Sequence, residues 1–178
     1  MNKLCVALVC LLVASPALAV PYSLTHTFDD PTPGFNDDFG FSVSVSGDNV
    51  LVGSRLDDTN GIDVGQVHLF NASTGALLRT FNAPTPAGAD LFGSSVSVSG
   101  DNVLIGAMGD STNGVSVGQA HLFSAVTGTL LRTFNDPTPT SSDQFGVSVA
   151  IDGDNVLIGA RLDDTNGVNV GQAYLFSA

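Results

Sequence analysis

Two loops carry the densest set of potential metal ligands in the chain. LDDTNGID from Leu56 gathers Asp57, Asp58, Asn60 and Asp63 around Gly61, and LDDTNGVN from Leu162 gathers Asp163, Asp164, Asn166 and Asn169 around Gly167. Calcium takes six to eight oxygens from carboxylates, amides and carbonyls on a tightly turned loop, so both sets are candidate calcium ligands. A third loop of the same design, GDSTNGVS from Gly109, keeps only Asp110 and Asn113 beside two serines and offers a poorer set. Asp and Asn also bond their own backbone two residues on, and Asx-turns alone account for all three loops. The expectation is that no cofactor is required, with Ca2+ the one candidate.

Catalytic chemistry needs distinct residues brought into one pocket. The histidines are His26, His68 and His121, and His68 and His121 occupy one repeat position that Tyr174 takes in a third copy. A His/Tyr exchange reads as half-buried packing with a polar tip, with no carboxylate or cysteine at the same position to make a metal or catalytic pair. His26 aligns with Arg79 and Arg132, which are expected to be exposed strand residues. No catalytic residue is expected, and the protein is not expected to be an enzyme.

Charge and composition narrow the partners. All 17 acids are aspartate, the cations number five, and the net charge is −12. Such a surface repels nucleic acid and anionic lipid. Asp favours turns where Glu favours helix, so the acids mark loops. Residues 1–19 have the form of a secretory signal: Lys3, an apolar run from Leu4 to Ala14 and a small-x-small site at Ala17-Leu18-Ala19. The run is too short to span a bilayer, so no membrane insertion is expected after cleavage. Both cysteines, Cys5 and Cys10, lie inside it, which leaves residues 20–178 without a disulfide. A secreted or extracellular location is expected, periplasm or cell surface included.

The elements that must position these residues repeat every 53 positions. FGFSVSVSGDNVLVG from Phe39 recurs from Phe92 and from Phe145, and VGQVHLF from Val64 recurs from Val117 and Val170. Of the 53 aligned positions in 39–91 and 92–144, 36 are identical, which leaves little room for one specialised site. Period-two alternation from Phe41 to Ser46, a turn at Ser46–Asn49, an apolar run from Val50 and further strands at 66–70 and 77–81 predict four short strands per unit. PTP then leaves the sheet, because proline cannot donate to a ladder. No window has a sustained helical period. Strand-rich units of this length form radial or solenoid arrays, since one unit cannot bury its own faces.

These motifs resemble the FG-GAP repeat of the bacterial type. The order is Phe92-Gly93, a Gly100-Asp101 turn, Ile105-Gly106-Ala107 closing a strand, Asp110 in an acidic loop and Gly118–Phe123. Arg55, Met108 and Arg161 stand where the proline of the family motif belongs. The resemblance implies blades of a β-propeller, as in integrin α-subunit heads, and extracellular recognition or adhesion. Integrin-type calcium loops join the first two strands of a blade. That link is only SGDN here, so the family's metal residues are not carried over.

The expected fold is all-β, a propeller-type array of three four-stranded antiparallel blades. Residues 20–38 supply a closing strand and loop, 39–91 the first blade, 92–144 the second and 145–178 a third completed by the N-terminal strand. Propellers close with about four to eight blades. The complementary ends therefore predict either a homodimer that closes a six-bladed ring or a fragment of a longer array. The expected function is a secreted, non-catalytic binding, adhesion or structural module for an extracellular protein or glycan. The alternative is a hydrolase or lyase acting on extracellular polymer from propeller loops.

Overall fold

The computed structural model describes residues 22–177, so the expected leader lies outside the described residues. The first sheet contains β1 (Phe39–Ser46), β2 (Asn49–Ser54), β3 (Gln66–Asn71) and β4 (Leu77–Asn82). The second repeats it with β5 (Phe92–Ser99), β6 (Asn102–Ala107), β7 (Gln119–Ser124) and β8 (Leu130–Asn135). The third has β9 (Phe145–Asp152), β10 (Asn155–Ala160) and β11 (Gln172–Ser177). Each sheet is a meander of antiparallel neighbours, four, four and three strands wide. The architecture is all-β, with propeller-like blades packed face to face and not closed into a ring.

Strand alternation decides which face meets which neighbour. Leu51 and Leu69 of the first blade are buried against Val96, Val98, Val103 and Ile105 of the second. Leu104, Ala120 and Phe134 of the second blade are buried in turn against Ile151, Val156 and Ile158 of the third. The serines alternating with the valines also turn toward the following blade. Ser42 Oγ donates to Gly93 O at 2.7 Å, Ser95 Oγ repeats this to Gly146 O at 2.7 Å, and Ser44 Oγ accepts from Val98 N at 3.1 Å. Both sides of these first strands are thus interface sides in a middle blade.

The Phe-Gly start makes that close approach possible. Gly93 lies in a bulge where the β5–β6 register shifts, with φ of +89°, a conformation glycine adopts freely. A Cβ there would stand 2.8 Å from Val67 Cγ2 and 2.9 Å from Gln66 O of the preceding blade. Phe92 N donates to Val64 O at 2.8 Å, and Phe145 N donates to Val117 O at 2.8 Å, which ties each blade to the loop before it.

Residues 22–30 form no strand in the chain, and β11 pairs only with β10. The N-terminal segment instead lies across the first blade. His26 covers Gly75, where an added Cβ would stand 2.6 Å from its ring, as Arg79 covers Gly128, where it would stand 2.9 Å from the side chain. Arg79 is not simply exposed, as expected from its alignment. It donates to the turn carbonyls of Ala125 and Thr127, each at 3.1 Å.

Candidate functional site

Each blade junction brings together the loop after the second strand, the segment ahead of the first strand and the middle of the third strand. In the first loop Asp57 Oδ1 accepts from Thr59 N at 2.8 Å and Gly65 N donates to Asp57 O at 3.0 Å, an Asx-turn closed by the backbone. That folds Asp57 inward, to 1% exposure. Asp58 stays exposed and accepts from Asp63 N at 2.8 Å, while Asn60 Nδ2 donates to Asn82 Oδ1 at 2.8 Å. The other loop is alike. Asp163 is fully buried and accepts from Thr165 N at 2.8 Å, and exposed Asp164 accepts from Asn169 N at 2.6 Å. Asp63 and Asn169 adopt left-handed φ of 52° and 53°, and Asn166 is exposed. Of the eight candidate calcium ligands, only Asp57 and Asp163 turn into a junction. The others point to solvent or hold the loop.

The inward carboxylates meet residues from other segments. Ligand atoms of Asp30, Asp57 and His68 lie within 4.8 Å of one another, as do those of Asp136, Asp143 and Asp163. His68 is fully buried rather than half-buried as the sequence suggested, because the preceding segment covers it. Its Nδ1 lies 3.1 Å from Thr80 Oγ1, its Nε2 lacks a hydrogen-bond partner, and Asp30 Oδ1 is 3.9 Å away. The carboxylate partners that the repeat position lacks in sequence are therefore supplied across the junction. Tyr174, in the equivalent place, donates to Asp163 Oδ2 at 2.6 Å and lies 2.8 Å from Thr138 Oγ1. The middle junction has Asp90, Asp110 and His121, but Ala83 stands where the others have Asp30 and Asp136.

Burial dominates the electrostatics. It pushes the His121 imidazole down to about 4, against the pull of Asp110, and lowers His68 against Asp30 and Asp57. It raises the carboxyls of Asp37, Asp90 and Asp136 above their ordinary value, although each accepts a backbone N–H. Burial would also raise Asp163, but hydrogen bonds from Tyr174, Thr165 and Thr138 outweigh it and hold that carboxyl below the usual range. Burial and the bond to Asp163 push the Tyr174 phenol up to about 12.

Asp37 and its repeats were missed as site residues. Aspartates beside a Pro-Gly turn belong by type to solvated loops, yet Asp37 is 7% exposed and Asp143 fully buried. Asp90 Oδ2 accepts from Ala87 N at 2.7 Å and Asp143 Oδ2 from Thr140 N at 2.5 Å, so each carboxylate closes the turn before a first strand. Asp38 instead pairs with Arg55 at 3.1 Å. The available signal was the recurrence of Asp at 37, 90 and 143 in phase with Asp at 57, 110 and 163.

A scan against protein families matches the FG-GAP repeat at residues 33–70, 80–123 and 138–176. A search of curated proteins finds no match. The three matched stretches fall one on each blade, with the Phe-Gly bulge and the acidic junction loop inside every one. By these matches and this architecture, the chain belongs to the FG-GAP repeat family and is a β-propeller-like repeat module.

Proposed function

We propose that this protein is a secreted, non-catalytic binding or structural module, and that a second copy of the chain is its first partner. One observation carries the proposal. Val43 and Val45 are 67% and 68% exposed, whereas their repeats Val96 and Val98 are 8% and 6% exposed against the blade before. At the other end Leu157 and Leu175 are 44% and 68% exposed, whereas Leu51 and Leu69 are buried against the blade after. The two free faces are the two halves of the interface already used twice inside the chain. Docking them head to tail on a two-fold axis gives six blades, within the range in which propellers close.

Two contacts support placing the segment 22–30 where the outer strand of a preceding blade belongs: Phe28 lies 4.9 Å from Phe70, and His26 covers Gly75. The β11 edge of a neighbour would then enter beside it and gain a fourth strand, which removes an exposed edge. An extracellular protein or glycan is proposed as the ligand of the completed ring. The non-catalytic reading is supported by the burial of the imidazoles, since His68 and His121, each 3.1 Å from a threonine hydroxyl, are only 0% and 1% exposed and closed off from a substrate. The single substitutions Val45→Asp and Leu157→Asp test the docking. Each should abolish association measured by light scattering while the monomer keeps its melting temperature. Association unchanged by both would overturn the proposed surfaces.

A further inference from the structure

We propose that the junction between the second and third blades is a binding site for a hard divalent cation of the calcium class, held by Asp136, Asp143 and Asp163. These three residues come from two segments of the chain and are 5%, 0% and 0% exposed. Their ligand oxygens lie within 4.8 Å of one another, a span that one calcium ion at about 2.4 Å from each could bridge. The donor set is all oxygen, which suits calcium or magnesium over softer metals. The neighbouring hydroxyl of Thr138 and water are available for the remaining positions.

A second observation separates this site from an ordinary acidic cluster. Asp136 Oδ1 accepts from Thr138 N at 2.9 Å, but Asp136 Oδ2 is buried with no hydrogen-bond partner. A buried carboxylate oxygen left unpaired is costly, and three buried carboxylates together are costlier unless a positive charge joins them. Among the described residues Arg55 is the cation that pairs with a carboxylate, at Asp38, and the buried His68, its imidazole lowered by burial, lies near Asp30, so no cationic side chain serves this cluster. A bound cation would satisfy Oδ2 and neutralise the group at once. The ligands differ from those of a loop site, because Asp164, Asn166 and Asn169 take no part. The chain also contains its own control, since the middle junction has Ala83 in place of Asp136 and still packs.

Tyr174 makes the site readable, because it touches Asp163 and the chain has two tyrosines and no tryptophan. Terbium, a luminescent stand-in for calcium, is excited by a tyrosine only at close range. In the purified chain lacking its leader and stripped by chelator, terbium should give sensitised emission that calcium displaces. Tyr174→Phe should lose the emission yet keep a calcium-induced rise of several degrees in melting temperature. Asp136→Ala, which copies the middle junction and should therefore fold, should lose both. Emission and calcium-induced melting shift that survive Asp136→Ala would overturn the site. A wild-type melting temperature flat to millimolar calcium would also overturn it.

Discussion

The ring of Phe28 lies 4.9 Å from that of Phe70, tilted by 45°. Phe81 stands to Phe123 at 5.2 Å and 51°, and Phe134 to Phe176 at 5.0 Å and 53°. The last two pairs join the outer strand of one blade to the third strand of the next. Phe28 therefore occupies the outer-strand place of a blade ahead of the first, although its segment has no strand partner within the chain.

That relationship sets a graded prediction. Phe81 is 2% exposed, and Phe81→Ala should cost about 3–5 kcal/mol by denaturant unfolding. Phe28 is only half-buried, and Phe28→Ala should cost less, about 1–2 kcal/mol. Equal costs would mean that residues 22–30 are as deeply built in as β4.

Gly93→Ala should destabilise by about 2–3 kcal/mol, since the new methyl meets Val67 and the Gln66 carbonyl at positive φ. Gly100→Ala should cost about 1 kcal/mol, because φ is again positive at +55° but nothing lies within 4 Å. Chevron or urea titrations of the two variants check the order. The reverse order would deny the close inter-blade approach.

Stability should fall with acid through His121. Its imidazole has an ordinary value of 6.5 and is lowered to about 4 by burial, so between these values the unfolded chain binds a proton that the folded chain refuses. Its contribution is complete above about pH 6.5 and is lost as pH falls toward 4, at up to about 1.4 kcal/mol per pH unit. Asp110 is the charge that faces it and opposes the shift. His121→Tyr copies the third blade and should flatten the unfolding free energy across that window relative to the parent. Parallel pH profiles would contradict the assignment.

The strands were legible because their determinants are local. Alternation from Phe41, the Gly47-Asp48 turn and the proline exit place all four strands of the first blade within two residues of their observed ends. The interfaces were not. Ser42 and Ser44 read as the solvent side of a half-buried strand, and only stacking of copies shows that they bond the next blade. The junction was hidden for the same reason. Asp136 and Asp163 lie on separate loops and meet through packing of one blade on another, which no spacing within either loop encodes. Within the acidic loops themselves Asp57 and Asp163 turn inward, whereas Asp58 and Asp164 bond the backbone of their own loops.

Replacing Ala83 by Asp tests whether the junctions are interchangeable. Asp90 and Asp110 are already buried there, at 1% and 3% exposure, so the variant adds a third carboxylate beside them. It should melt lower than the parent in chelator and recover on addition of calcium. A loss that calcium does not reverse would mean that the middle junction lacks the geometry of the third.

The central claim is that the free faces of the first and third blades dock on a second copy. Sedimentation equilibrium of residues 20–178 at tens of micromolar protein tests it most directly. The account predicts twice the mass of one chain, reduced to a single mass by Val45→Asp. A single mass for the unaltered chain across that concentration range would contradict it.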